Sequence, residues 1–241
     1  MPYRVKFLLV FCLMFVCVYA GASYLLKDFK LYQTPNEKRK EQKTLLPVSM
    51  QNEFAAYEGT EVADSLALPD SLAKIDTLLV AYKSKYRMHL YAKGKFLKTY
   101  IIALGQSPLG HKVQQGDNHT PEGMYKIIQK SRGPFYGDAS AYFGVAWMRL
   151  NYPNNADAVN GFKKGLITEA QKNAIVKANN AGKEPPKNTK LGGGIGIHGW
   201  NGSWPDDDQQ NLTWGCISVQ NDELNDLYKK VPVGSSILIL P

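Results

Sequence analysis

The sequence predicts a mainly β domain carrying a few peripheral helices, preceded by a targeting segment and a polar spacer. Three observations predict it. Short apolar, aromatic-rich runs recur from residue 76 to the C-terminus, turn residues separate them, and only two stretches show helical spacing. Apolar residues make up 44% of the 241, enough for a real core, and the charged fraction of 21% is ordinary for a soluble domain. Disordered and collagen-like classes are excluded for the chain as a whole.

At the N-terminus, Arg4 and Lys6 precede an apolar run from Phe7 to Val18, followed by Tyr19-Ala20-Gly21-Ala22. Basic, apolar and small residues in that order form a secretory signal, with Ala20 and Ala22 spaced as a peptidase site requires. Apolar character continues to Leu26, so Phe7 to Leu26 is also long enough to span a bilayer as a helix. Residues 1–26 are read as a signal peptide or a membrane anchor. Either one exports the rest of the chain to the periplasm or cell wall. Cys12 and Cys17 lack the small residues that precede a lipidation cysteine. Residues 27–73 are read as a spacer: positions 35–43 are almost wholly polar, with one short helix expected near 49–57.

The domain is expected over 74–241. Asp76 to Tyr82 reads as a strand. Met88 to Ala92 and Phe96 to Leu104 flank Lys93-Gly94-Lys95 as a hairpin. Met124 to Gln129, Ala141 to Leu150, Ile195 to His198 and Ser236 to Leu240 supply further strands. One helix is signalled by Thr168 with Gln171, a capping box, and by Ile167, Ala170, Ala174, Ile175 and Ala178 at helical spacing. A second is expected after Asn221 as N-cap, with Asp222 and Glu223 in its first turn and Lys229 and Lys230 in its last.

The formal net charge of +8 suits a polyanion such as an acidic lipid surface or an anionic wall polymer. Nucleic acid is not expected, because the lysines are scattered and neither zinc-finger spacing nor an aromatic RNA-binding motif occurs. His89, His111 and His119 lack the spacing of metal ligands, so neither metal nor cofactor is expected. Gly192-Gly193-Gly194 lacks the Lys-Ser/Thr of a phosphate loop and is read as close backbone approach beside a strand.

Beyond the targeting segment the chain holds a single cysteine, Cys216, which cannot form an intradomain disulfide. Such a thiol is either a packed small hydrophobe or a reactive group. His198-Gly199 lies 18 residues upstream, at the end of a predicted strand. An imidazole that accepts the thiol proton makes a nucleophile–base pair. Gly215 permits a tight turn before Cys216, and the amides of Thr213, Trp214, Gly215 and Cys216 are candidate oxyanion donors. Trp200, Trp204 and Trp214 offer either an aromatic platform or loop anchors. Asp206-Asp207-Asp208 is either a solvated charge run or an attractor for an amine.

His198-Gly199 followed by Thr213-Trp-Gly215-Cys216-Ile-Ser218 resembles the signature of the YkuD-like L,D-transpeptidase family. A second segment, Gly116-Asp-Asn-His-Thr120-Pro121-Glu-Gly123-Met-Tyr125, is similar to that family's Thr-Pro motif. The resemblance covers roughly residues 76–241 and implies a β-sandwich or barrel-like catalytic domain. It implies that Cys216 attacks the L,D bond of a peptidoglycan stem peptide, with His198 as base and then acid. The backbone of Gly199 would orient the imidazole and Gly215 would belong to the oxyanion turn. Trp214, Thr213, Ser218 and Trp200 are the expected substrate contacts. The implied place is cell wall biogenesis and cell shape, and the implied acceptor is an amine of another stem, a wall-linked protein, or water. Trp214 stands where many members have His or Asn. Ser218 stands where many have Arg, which removes a fixed cation suited to a carboxylate.

Overall fold

The computed structural model describes residues 68, 70–137, 142–204 and 210–241. The segment 1–26, the expected helix near 49–57 and the Asp206–Asp208 run lie outside the described residues. Among the described residues no helix is long and apolar enough to cross a membrane.

The described residues form one ten-stranded, curled mixed sheet with four α-helices. In chain order the elements are α1 (Asp70–Ala73), β1 (Thr77–Tyr82), β2 (Arg87–Ala92), β3 (Lys95–Ile101), β4 (Ala103–Gly105), β5 (Gly123–Arg132), β6 (Ala146–Leu150), α2 (Asn155–Lys163), α3 (Glu169–Asn180), β7 (Gly196–His198), β8 (Gln210–Thr213), β9 (Ile217–Ser218), α4 (Asn221–Lys230) and β10 (Ser236–Leu240). The spatial order is β3-β2-β1-β10-β5-β6-β7-β9-β4-β8. β10 runs parallel to β1 and antiparallel to β5, so the last strand sits between two early ones.

β1 shows why this sheet reads as unbroken apolar runs. Leu79 and Ala81 point into the main core, while Leu78, Val80 and Tyr82 enter a second cluster with Leu72, Tyr91, Leu238 and Leu240. A strand covered on both faces has no polar alternation. Each fully buried leucine contributes about 1.5–3 kcal/mol. α4 lays Leu224 and Leu227 on the main core, which also takes in Cys216 and Ile217. The predicted hairpin turn is present, with Lys93 and Gly94 both left-handed (φ 48° and 73°), as a tight two-residue connection needs.

Several expectations are corrected. Within the stretch read as spacer, Asp70–Ala73 is a helical turn and Leu72 is buried in the second cluster. The run from Phe96 to Leu104 is two strands, because β4 leaves β2 and pairs with β8 and β9 instead. The strand expected over 141–150 begins only at Ala146, so Tyr142 and Phe143 are freed to fold over the site. Asn221 is not the N-cap of α4; Gln220 holds that position and Asn221 is the first helical residue.

α2 lies where only a turn was expected. Asn154 accepts from Asp157 N at 2.9 Å while Asp157 accepts from Asn154 N at 2.8 Å, a reciprocal capping box. α2 and α3 form a helical insert with its own small core of Ala158, Ile167, Ile175 and Leu191. The box predicted at Thr168 and Gln171 caps α3.

Candidate active site

The site is built where three short elements meet. β7 and β9 are parallel neighbours, with Ile197 opposite Ile217 and His198 opposite Ser218. That pairing brings His198 and the residue preceding β9, Cys216, onto adjacent strands. Both are buried, His198 fully and Cys216 nearly so.

The turn before Cys216 depends on glycine. Gly215 has φ +125°, and a Cβ there would lie 2.6 Å from the His119 carbonyl oxygen. Thr213 ties the turn together: its hydroxyl donates to Cys216 O at 2.6 Å and accepts from Gly215 N at 3.2 Å. The upstream Thr-Pro segment forms the other side. Thr120 is buried and accepts from Gly105 N at 2.9 Å. Asp117 folds the loop before it by accepting from the Val113 and Gln114 amides and from Lys112 Nζ at 2.7 Å.

His198 Nδ1 donates to the Gly199 carbonyl at 2.6 Å, which fixes the neutral tautomer with Nε2 as acceptor. Among the described residues Nε2 has no hydrogen-bond partner. The Ser218 hydroxyl donates to the same Gly199 carbonyl at 3.2 Å. The ring is enclosed by Tyr142, Phe143 and Trp147, with centroids 4.6, 5.5 and 6.0 Å away. This burial pushes the imidazole pKa down to about 4, against the smaller opposing pull of the Gly199 and Tyr142 backbone.

Cys216 Sγ donates to the Gly194 carbonyl at 3.7 Å. Burial pushes the thiol up to about 11; the Gly196 amide and the Tyr142 hydroxyl, then the charges of Lys112 and Arg149, favour the thiolate less strongly. The two groups are not hydrogen-bonded to each other, and burial disfavours both charges. Burial thus works against the imidazolium and the thiolate alike.

Cys216 opens on a cleft of about 770 Å³ whose walls include Lys112, Asn118, Tyr142, Gly192–Gly194, Lys187 and Trp214. Trp214 is 66% exposed and stacks on Tyr142 at 5.0 Å. Of the four expected substrate contacts, only Trp214 lines this cleft. Thr213 and Ser218 are fully buried and spend their hydroxyls on the Cys216 and Gly199 carbonyls. Trp200 lies outside the lining, with its indole N–H donating to Ser203 O at 3.2 Å. Of the expected oxyanion amides, Trp214 N donates to the Tyr142 hydroxyl at 3.2 Å and Gly215 N to Thr213. Gly192–Gly194 do bring backbone against the site, through the Gly194 carbonyl.

Three residues escaped the sequence reading. Tyr142 touches both His198 and Cys216 but was assigned to a strand. Lys112 is buried in the cleft wall through Asp117; the Gly116-Asp117 motif was its only sequence signal. Asn221 was read as a cap. Its side chain accepts from Val145 N at 3.1 Å and donates to Trp200 O and Asn201 Oδ1, bracing the loop after His198. A Cβ on Gly199 would lie 2.0 Å from that amide oxygen, which explains why glycine follows the histidine. Among the described residues no three metal-ligating side chains cluster.

Solved structures resemble this chain over part of their length. The Campylobacter jejuni helical cell shape determining protein Pgp2 is 24% identical over 79% of this chain and 55% of its own, with a TM-score of 0.46. Bdellovibrio bacteriovorus Bd1075 is 20% identical over 74% of this chain and 53% of its own, at a TM-score of 0.46. An L,D-transpeptidase from Mycobacterium smegmatis is 16% identical over 69% of this chain and 59% of its own, at a TM-score of 0.41. This chain thus spans little more than half the length of these solved structures. No curated protein matches it. Residues 76–239, covering every strand from β1 through most of β10, match the L,D-transpeptidase catalytic domain, and the chain belongs to that YkuD family.

Proposed function

We propose that this protein is an exported peptidoglycan L,D-transpeptidase in which Cys216 is the nucleophile and His198 its base. The observation that carries the reading is a buried thiol opening on a deep cleft, on the strand next to a histidine whose Nε2 is a buried, unpartnered acceptor. An orphaned buried acceptor costs free energy, and a role in proton transfer is a reason for a fold to retain one.

In the proposed reaction a stem-peptide carbonyl enters the cleft and displaces solvent around Sγ. The thiol proton moves to His198 Nε2 as sulfur attacks the carbonyl carbon. The Gly199 carbonyl holds Nδ1–H and so stabilises the transient imidazolium. The Tyr142 hydroxyl and the Gly196 amide stabilise the transient thiolate. The tetrahedral intermediate collapses, His198 returns its proton to the leaving amine, and D-alanine departs. An acceptor amine then attacks the thioester, giving its proton to His198, and sulfur leaves as the thiol. Water in place of the amine makes the same sequence a hydrolysis.

Incubation of the protein with purified muropeptides, separated by mass, tests this. Crosslinked dimers with loss of D-alanine are expected, and Cys216→Ala should abolish them while the melting transition is kept. Products from the alanine variant at the wild-type rate would remove Cys216 from the chemistry. Trimmed monomers without dimers would reassign the acceptor to water.

A further inference from the structure

The helical insert carries charge that the reaction above does not use. Lys163 and Lys164 close α2, Lys177 lies in the last turn of α3, and Lys183, Lys187 and Lys190 follow on the return segment to β7. All six are exposed. Of the six, the acids of the insert offset only Lys187. Asp157 is buried against His111 and Tyr125, Glu169 pairs with Lys172, and Glu184 is shared between Arg149 and Lys187. Among the described residues Lys163, Lys164, Lys177, Lys183 and Lys190 have no acidic partner.

The return segment connects this charge to the cleft. Lys187 lines the cleft beside Cys216, and its side chain packs where a Cβ of Gly193 would stand. The Lys190 carbonyl accepts from Gln115 N at 2.9 Å, which fixes the segment to the loop that carries Lys112. Leu191 packs on Gly161 and brings Lys190 back toward the Lys163–Lys164 end of α2.

We infer that the insert is a cationic track that holds a carboxylate-rich polymer, the peptidoglycan strand whose stem peptide occupies the cleft. This rests on the reading of the cleft as a stem-peptide site. Continuity with the cleft selects the occupant: whatever lies along Lys190 and Lys187 must be joined to what reaches Cys216. Carboxylates of neighbouring stems on the same strand meet that condition. The track prefers polymeric wall over an isolated muropeptide, through attraction that salt screens.

Pelleting of the full chain with purified sacculi tests it. The wild type should co-sediment, with the bound fraction falling as salt rises from about 0.05 to about 0.4 M. The combined variant Lys164→Ala, Lys177→Ala, Lys183→Ala and Lys190→Ala should bind about tenfold more weakly, the sum of several modest exposed charge contacts. Sacculi whose carboxylates have been amidated should lose the wild type to a similar degree. Equal pelleting of variant and wild type, or undiminished binding to amidated sacculi, would overturn the track. Capture by phosphatidylglycerol vesicles in preference to sacculi, lost in parallel by the lysine variant, would overturn it in favour of a membrane surface. Turnover of a soluble monomeric muropeptide is read separately. If the wild type turns nothing over but pelleting keeps its salt and lysine dependence, the catalytic reading fails and the track stands.

Discussion

His198 and Cys216 are placed so that burial works against the charged form of each. Aromatic rings around the imidazole and backbone around the sulfur make ionisation costly, and the polar neighbours offset that only in part. In the proposed reaction such a pair would become charged only once a substrate carbonyl supplies somewhere for the negative charge to go. Tyr142 is the residue that tunes it, since its ring packs on His198 and its hydroxyl favours the thiolate. Tyr142→Phe should slow iodoacetamide alkylation of Cys216 at mildly alkaline pH by about tenfold, the worth of a hydrogen bond to a charged group. A pH–alkylation profile superimposable on wild type would show that the hydroxyl does not act on the sulfur.

Elements, rather than single residues, set the geometry of the turn. Gly215 occupies a backbone conformation that residues with a Cβ rarely adopt, with the His119 carbonyl pressed against it. Gly215→Ala should lower stability by about 1–3 kcal/mol and move Cys216 relative to β7. Denaturant melts should show a lower midpoint with an unchanged slope, and alkylation of Cys216 should change in parallel. An unaltered midpoint would mean that the loop carrying His119 yields freely. Ser218 illustrates the same scale. In the sequence it looks like a substitute for a cationic substrate contact, yet as part of β9 it faces inward and anchors the carbonyl that holds the imidazole.

At the scale of the whole molecule, the buried pair links stability to pH. His198 has its pKa lowered from 6.5 to about 4 on folding, so the unfolded chain binds the extra proton between those values. Its contribution is present above pH 6.5 and is lost as pH falls toward 4. Cys216 is raised from 9.0 to about 11, so its contribution is present below pH 9.0 and is lost as pH rises toward 11. Each limb amounts to about 3 kcal/mol. Unfolding free energy measured against pH should form a plateau between them. Cys216→Ala should remove part of the alkaline fall and leave the acid limb intact. An alkaline limb unchanged in that variant would show that other groups, not the thiol, produce it.

The sequence by itself determined the β-rich class, the hairpin at Lys93-Gly94, the capped helix α3, the closing strand β10 and the two segments that form the candidate site. Each of these is encoded in contiguous residues: apolar runs, turn glycines and a capping box act over a few positions. The split of β3 from β4, the two-residue strand β9 and the late start of β6 were decided only by tertiary pairing. So were the roles of Tyr142, Lys112, Ser218 and Asn221, whose partners lie between 5 and 76 residues away. A side chain's direction at such positions depends on which strand becomes its neighbour. That choice is made by burial of the whole sheet, and the local pattern of residues does not record it.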